Sequence, residues 1–540
     1  MAFSDSLLDS REGVSTLSWS LTERDRLQAE VLGISETQIR SQILTFQRSS
    51  FFVRLARPCT VGDGIRSLAP EKLQDYVQVQ QRAARQGRFL KFVPASGAAT
   101  RMFQIPSQFY YRRPHLSLQE IRQQAAENDA DAASFIRFLE ELRRFAFFDD
   151  LKSAMQRHGL NLEALLQQGR YPVILEYLLT SCGLGYEALP KGLLKFHRYG
   201  TKTRTAFEEH LVEAALTVRD ANGVCRLHCT VSSEHQAAFR ELFARAKSHY
   251  EDHCDARFEV EFSVQSHSTD TIAVDLDNQP FRDGDGRLLF RPGGHGALLE
   301  NLNSLGGGRI THKKIDNVVP DRLKPSVTLW KQVLGGVLVV LQDACHHYLK
   351  RLTEGPAASN LFAEAITFAE QKLLIQLPET IRHWSFAERR EFLVSRLNRP
   401  MRVCGMVRNV GEPGGGPFWV MGKDGSLSLQ VVESAQVDMQ SSDQQRIWNS
   451  ATHFNPVDIV CAVRDYRGRP FNLKDYVDQE AVFIARKSKG GRELKGLELP
   501  GLWNGAMSDW ITVFVEVPRI TFQPVKAVNA LLEPEHAPEV

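Results

Sequence analysis

The sequence predicts an α/β protein built on a mostly parallel sheet covered by helices. Three observations predict it. From Pro190 onward, strand-like and helix-like stretches alternate: Val224 to Val231 is strand-like, Glu234 to Tyr250 has helical spacing, and Phe258 to Val264 is strand-like again. Such alternation marks strands joined by helical crossovers. An apolar stretch, Phe89 to Val93, runs straight into a loop of small residues. The composition is globular, with 43% hydrophobic and 24% charged residues in 540, so there is material for a sizeable core. By length alone the chain suggests about three or four domains.

Residues 1–88 read as mostly helical: Leu27, Val31, Ile34 and the run Ile39 to Leu44 recur at helical spacing. Pro58 to Gly64 interrupts them as a loop, and Tyr76 to Gln86 is a polar helix leading into the strand at Phe89. Residues 89–400 read as an α/β core with a helical insertion at about 115–182. There Leu118 to Glu127, Ala130 to Phe145 and Leu162 to Leu179 are amphipathic, with a break expected at Pro172. A helix is expected around Glu208 to Thr217. Asp270 to Phe290 alternates and carries Asp283-Gly284-Asp285-Gly286, which predicts a hairpin. Arg309 to Asn317 is a further strand. Ser326 to Leu352 and Ala358 to Ile375 are helical. Residues 401–540 form an α+β part: strands at Met401 to Val407 and Leu427 to Val432, a loop at Glu412 to Pro417, and a final helix at Val525 to Leu532.

Net charge is +2, with both signs interspersed, so no nucleic-acid tail or polybasic membrane segment is expected. Acidic and basic residues at Asp5, Asp9, Arg11 and Glu12 argue against a signal peptide. The longest apolar stretch, Val333 to Leu341, is far shorter than a membrane span. None of the eight cysteines forms a Cys-x-x-Cys pair, which fits small buried hydrophobes in a reducing cytoplasm.

Five stretches carry chemistry. The first is Pro94-Ala95-Ser96-Gly97-Ala98-Ala99-Thr100-Arg101. Small side chains let backbone N–H groups approach an anion, and Arg101 adds a forked cation, so the loop suits phosphate; the alternative is an ordinary small-residue turn. The second is Pro190-Lys191-Gly192, a lysine on a turn that would neutralise phosphate or simply face water. The third is Pro292-Gly293-Gly294-His295-Gly296, either a backbone passing close to a flat ligand or a glycine-rich turn before a helix. The fourth is Asp316-Asn317 at a strand end, where a carboxylate can hold Mg²⁺ or open an Asx turn. Its rival is Asp275-Leu276-Asp277, whose carboxylates would share one face of a strand. The fifth is Phe522-Gln523-Pro524-Val525-Lys526, with Lys526 expected in the first turn of a helix. Glu208-Glu209-His210 lacks zinc-ligand spacing and reads as an acidic first turn.

Taken in order, these stretches resemble the uridylyl-transferring nucleotide-sugar pyrophosphorylases. Ser96 to Arg101 resembles their Gly-rich, Thr-Arg-containing nucleotide loop, and Pro190-Lys191-Gly192 their Pro-Lys segment. Gln265, Asp285 to Leu289 and Pro292 to Gly296 resemble their Gln…Asp-Gly-Lys…Pro-x-Gly-x-Gly succession. Ile315-Asp316-Asn317 resembles their Val-Asp-Asn, Val431-Val432-Glu433 their Val-Val-Glu, and Phe522 to Lys526 their Phe-x-Pro-Val-Lys. The chain as a whole is more similar to a bacterial family of domains of unknown function, number 4301.

The resemblance implies a GT-A-like, Rossmann-related fold and a cytoplasmic, Mg²⁺-dependent nucleotidyltransferase that joins a sugar 1-phosphate to a nucleoside triphosphate, UTP foremost. Arg101, Lys191 and Lys526 would act on the phosphates. Ser96, Gly97, Ala98, Ala99, Thr100, Gln265, Gly293, Gly294, His295 and Gly296 would bind the nucleotide. Gly405, Glu433, His453 and Asn455 would line the sugar, and Asp316 would hold the metal, with Asp275 and Asp277 as alternatives. Nucleoside triphosphate and sugar phosphate are the expected partners, with no nucleic acid and no membrane. Two other readings stand beside it: a nucleotide-binding regulator without catalysis, and a glycosyltransferase using Asp275 and Asp277.

Overall fold

The computed structural model describes residues 19–48, 52–354, 359–411, 414–489 and 491–537. The expectations for Asp5, Asp9, Arg11 and Glu12, for the helix start at Ala358, and for residues 412–413 of the Glu412–Pro417 loop lie outside them.

The described chain is a mixed α/β protein that forms two compact units, each assembled from separate stretches of sequence. One comprises Met1–Phe51, Ser266–Ala297 and Gln479–Gly501; the other comprises Phe52–Gln265, Leu298–Asp478 and Leu502–Val540. This division is not the linear one expected from composition, because a sheet recruits strands by pairing and not by sequence order.

In the larger unit the central sheet has ten strands: β1 (Thr60–Val61), β2 (Gly64–Arg66), β3 (Phe89–Pro94), β4 (Val224–Val231), β5 (Arg257–Val264), β6 (Arg309–His312), β7 (Met401–Arg408), β8 (His453–Phe454), β9 (Ile459–Ala462) and β10 (Ile511–Glu516). Their order is β1-β2-β10-β7-β9-β6-β3-β4-β5, with β8 paired to β7. Strands β6, β3, β4 and β5 are mutually parallel, whereas β9 runs antiparallel to both β6 and β7. The chain passes from β3 outward to β4 and β5, then returns to place β6 on the other side of β3. The point between β3 and β6 is therefore a topological switch, where open α/β sheets leave a crevice beyond their carboxyl ends.

Helices α1 (Pro70–Arg85), α2 (Ala206–Thr217), α3 (Gln236–Cys254) and α4 (Lys324–Glu354) belong to this unit. Thr205 starts α2 through a capping box: Glu208 N donates to its hydroxyl, and its own N–H donates to the Glu208 carboxylate. The acidic pair expected in that first turn therefore divides its work, because Glu209 is buried. The insertion between β3 and β4 contains helices at Leu118–Ala126, Ala130–Glu140, Phe148–Gln156, Leu162–Gln167 and Tyr171–Leu179. The break expected in 162–179 falls just before Pro172, between Leu162–Gln167 and Tyr171–Leu179, and Pro172 sits in the first turn of the second helix, where its missing N–H costs nothing.

The helical expectation for 1–88 fails at Arg54–Pro58, which is a strand antiparallel to Gly416–Met421, itself antiparallel to Leu427–Val432, and at β1 and β2. Strand partners several hundred residues away outweighed local helical spacing. The expected final helix is also absent. Only Val528–Leu532 turns, as a 3₁₀ segment, and Pro524 forms an isolated β-bridge with Asn317.

The smaller unit packs helices Glu23–Leu32 and Glu36–Gln47 on a four-stranded sheet of Thr271–Val274, Phe290–Arg291, Phe483–Lys489 and Arg492–Glu498. Ile39, Ile43, Ile272, Val274 and Leu497 share its core. The hairpin expected at Asp270–Phe290 is present, closed by Gly286 N donating to Asp283 O. Among the described residues no helix is long and apolar enough to cross a membrane.

Candidate functional site

The crevice between β3 and β6 is where four of the motifs meet. Ala95 to Phe103 follows β3. Ala95 N donates to Thr230 O at the end of β4, and Ala99 N to Leu189 O. Lys191 N donates to Gly97 O at 3.0 Å, and Ala98 bridges to Pro190. The small-residue loop and the Pro-Lys segment are thus one backbone unit. Within it the N–H groups of Ser96, Gly97, Ala98, Thr100 and Arg101 have no hydrogen-bond acceptor among the described residues. Ser96, Gly97, Ala98, Thr100 and Arg101 are exposed, while Ala99 is buried. A Cβ on Gly97 would meet nothing within 4 Å, so packing does not demand a glycine there. Gly192 is different: its Cβ would stand 2.7 Å from the Phe239 ring of α3.

Lys191 reaches across the crevice. Its Nζ donates to Asp316 Oδ2 at 2.7 Å and to Val525 O at 2.7 Å. Val525 N returns a bond to Asp316 O, Asn317 Nδ2 donates to Thr521 O, and Gln523 N donates to Asn317 Oδ1. Val528 N donates to Met102 O, which closes the ring back onto the first loop. Asp316 and Asn317 do not continue β6, which ends at His312; they sit in the turn beyond it. Lys526 is exposed and extended, not helical, with its Nζ 5.5 Å from the Phe522 ring centroid. The helix-dipole cost expected for it therefore does not arise.

Lys314, two residues before Asp316, was not singled out by sequence. Burial pushes its ammonium below the usual lysine range, against the pull of Asp316 and Glu433 and together with the repulsion of Lys526 and Lys191. Its Nζ stands 4.7 Å from the Trp503 ring centroid, and Trp503 Nε1 donates to Glu433 Oε1 at 3.1 Å. Glu433 leaves the strand Leu427–Val432 and so joins the same cluster.

Beneath the crevice lies a buried charge network. Lys91 of β3 donates to Glu213 Oε1 of α2 at 2.6 Å and to His210 O. Glu213 also holds Lys313 at 3.3 Å and Lys331 at 3.5 Å, and Asp458 holds Lys331 at 2.6 Å. Three ammoniums thus face two carboxylates. Burial lowers Lys91 to about 8 despite Glu213, and it lowers Lys313 also; for Lys331 burial is outweighed by Asp458 and Glu213. Burial keeps His210 neutral, so its Nε2–H donates to Ile315 O and pins the turn that carries Asp316. Patterning could not reveal this network, since each member reads locally as a surface charge.

The other predicted residues are held in other ways. Gly405, in β7, has a Cβ direction closed by Val517 at 3.1 Å. Asn455 is committed at both ends, donating to Gly405 O and accepting from Val457 N. His453 is buried beside Thr452 and Glu516. Both were expected to line a sugar; in the structure their side chains bond backbone or neighbouring side chains. Gln265 follows β5. Gly293, Gly294, His295 and Gly296 belong to the smaller unit, where a Cβ on Gly293 would meet Thr269 O at 2.5 Å and one on Gly296 would meet Pro500 O at 2.2 Å. Close approach of the chain to itself accounts for those two glycines.

Asp275 and Asp277 also lie in the smaller unit, and not on a strand, which ends at Val274. Asp275 Oδ1 accepts from Asp277 N and Gln279 N, an Asx turn, so the two carboxylates do not share a strand face. No group of three His, Cys, Asp or Glu side chains placed to hold a metal occurs among the described residues.

The profile of a family described as a domain of unknown function, DUF4301, matches residues 22–537. The chain belongs to this family. No curated protein matches the DUF4301 chain. Among solved structures it is similar to a Trypanosoma brucei uridine diphosphate N-acetylglucosamine pyrophosphorylase, at 13% identity and a TM-score of 0.45, over 94% of this chain and 77% of that one. It is also similar to a Trypanosoma brucei UDP-glucose phosphorylase, at 13% identity and a TM-score of 0.46, over 94% and 77%. A third is a Leishmania major UDP-glucose pyrophosphorylase in complex with UDP-glucose, at 13% identity and a TM-score of 0.45, over 95% and 79%.

Proposed function

We propose that this DUF4301 protein is a sugar-1-phosphate nucleotidyltransferase, with UTP as the foremost nucleotide. The observation that carries the reading is the pair of hydrogen bonds that Lys191 Nζ donates to Asp316 Oδ2 and Val525 O, made while Lys191 N donates to Gly97 O. One lysine thereby gathers a loop with unpaired amide donors, a carboxylate and the segment bearing a second lysine at a topological switch point.

In the proposed reaction a sugar-phosphate oxygen attacks the α-phosphorus of the nucleotide. The new P–O bond forms as the bond to the bridging β-phosphate oxygen breaks, and pyrophosphate leaves with that electron pair. The attacking phosphate is already anionic near neutral pH, so no general base is needed. The unpaired amides of Ser96 to Arg101 bind the β- and γ-phosphates and orient the leaving group. Lys191 and Lys526 stabilise the charge that builds on the phosphates, the larger part of catalysis in transfers of this kind.

A lone carboxylate among phosphate-binding groups fits a Mg²⁺ that arrives with its nucleotide, not a dedicated protein cage. Asp316 would hold it, and the ion would supply charge neutralisation at the phosphate oxygens. The Asx turn at Asp275 argues against the glycosyltransferase reading. The test is pyrophosphate release from UTP with a panel of sugar 1-phosphates, with and without MgCl₂. Release that is lost in Asp316→Asn and kept in Asp277→Asn supports the reading. No release with any nucleoside triphosphate, despite nucleotide binding, favours the regulator.

A further inference from the structure

We propose that Lys314 is a third phosphate-binding cation of this site, aimed at the phosphate carried by the sugar, and that Trp503 positions it. The inference rests on the proposed reaction and adds a residue and a specific ligand group to it.

Lys191 already bonds Asp316 and Val525 O, and lysines 91, 313 and 331 beneath the crevice all contact carboxylates. Lys314 is half-buried, yet its ammonium makes no hydrogen bond and no ion pair among the described residues. Its Nζ lies against the face of Trp503, 4.7 Å from the ring centroid. A cation over an indole keeps its three N–H donors available, because the ring supplies charge stabilisation and no acceptor. Unpaired ammoniums are costly to enclose, so a partner is expected from outside the chain.

The position says which partner. Lys314 follows β6 at the switch point, on the same turn as Asp316. Trp503 ties it to Glu433 through the indole N–H, at 3.1 Å. Lys314 therefore stands between the carboxylate proposed for the metal and the carboxylate proposed for sugar hydroxyls. The group that lies between those two in an NDP-sugar is the phosphate that the sugar brings. With Lys191, Lys314 and Lys526 against Asp316 and Glu433, the cluster also carries one excess positive charge, which suits an anion.

The test compares nucleoside diphosphates, which carry that phosphate, with nucleoside monophosphates, which do not. Binding of UDP and UMP, then of the adenosine, guanosine, cytidine and thymidine pairs, is measured by calorimetry with MgCl₂ on the full chain. For the pair that binds the wild type tightest, Lys314→Met is expected to weaken the diphosphate by about 10- to 100-fold, the value of one charge-assisted bond. The monophosphate should change by less than about twofold on the same scale. Lys314→Arg should restore most of the loss, and Trp503→Leu should weaken the diphosphate selectively, since the ammonium loses its platform. Lys314→Gln serves if the methionine variant does not fold. Equal affinity for the diphosphate in wild type and variant, or equal losses for both ligands, overturns the role of Lys314. A wild type that binds none of the ten nucleotides overturns the nucleotidyltransferase reading and this inference with it.

Discussion

Lys191 Nζ stands 2.7 Å from Asp316 Oδ2 although 125 residues separate them. The pair is only partly shielded, with side chains 11% and 18% exposed. It can therefore open when a phosphate competes for the ammonium. Lys191→Met should cut pyrophosphate release by about 10²- to 10³-fold, the scale of losing one preorganised charge contact in a transition state. Folding should lose no more than about 1–3 kcal/mol. A variant that retains wild-type release would remove Lys191 from the chemistry.

Two glycines near this pair should behave in opposite ways. Gly97 faces open space, so Gly97→Ala should leave the melting temperature unchanged while weakening triphosphate binding, because the methyl occupies the ligand's side of the loop. Gly192→Ala would push a methyl to 2.7 Å from the Phe239 ring. It should cost about 1–3 kcal/mol of stability by overpacking. Thermal melts of both variants with and without UTP check the contrast.

The buried network predicts a pH dependence on the alkaline side. Lys91 is held at about 8 by burial, below its unfolded value near 10.5, so the unfolded chain binds more protons between those limits. Stability contributed by this group must rise with pH across that window. Lys91→Met should therefore show a flatter rise, or a steeper fall, in melting temperature between pH 8 and 10 than the wild type. Identical curves would mean that Lys91 is not depressed. Glu213→Gln should be the severe change, since it leaves three buried lysines with Asp458 alone, a loss of about 3–5 kcal/mol.

A second pH effect lies on the acid side. His536 Nδ1 stands 3.0 Å from His197 Nε2, and His197 Nδ1 stands 2.9 Å from Glu209. Burial, with His197 beside it, pushes His536 down to about 3. The unfolded imidazole takes up its proton near pH 6.5, so stability is full above that value and is lost as pH falls toward 3. His536→Leu should lose less stability between pH 7 and 5 than the wild type, measured by urea unfolding at each pH. An unchanged slope would count against the buried neutral imidazole.

What the sequence disclosed, and what it hid, follows from the range of each interaction. The alternation at residues 224–264 was legible because each strand and helix there is local and strongly patterned. The small-residue loop, Lys191, Asp316 and Lys526 stood out because their residue types are unusual for their settings, and the structure brings the segments that carry them together. Strand Arg54–Pro58 was not legible, since its partner lies at Gly416–Met421 and its own sequence holds Pro58. Lys526 was misplaced on a helix because the segment leading to it is held by Asn317, which accepts from Gln523 N and lies some two hundred residues earlier, beyond any local pattern. Lys314 stayed hidden because a lysine carries no local mark of what surrounds its ammonium. Asn455 and His453 show the converse: a polar side chain committed to backbone or to a neighbour has the same letters as one that is available.

The bond from Val528 N to Met102 O gives the order of synthesis a meaning. Residues 96–101 are synthesised well before residues 522–528, which close their cluster. A nascent chain therefore carries that loop unclosed until the later segment has followed it out of the ribosome.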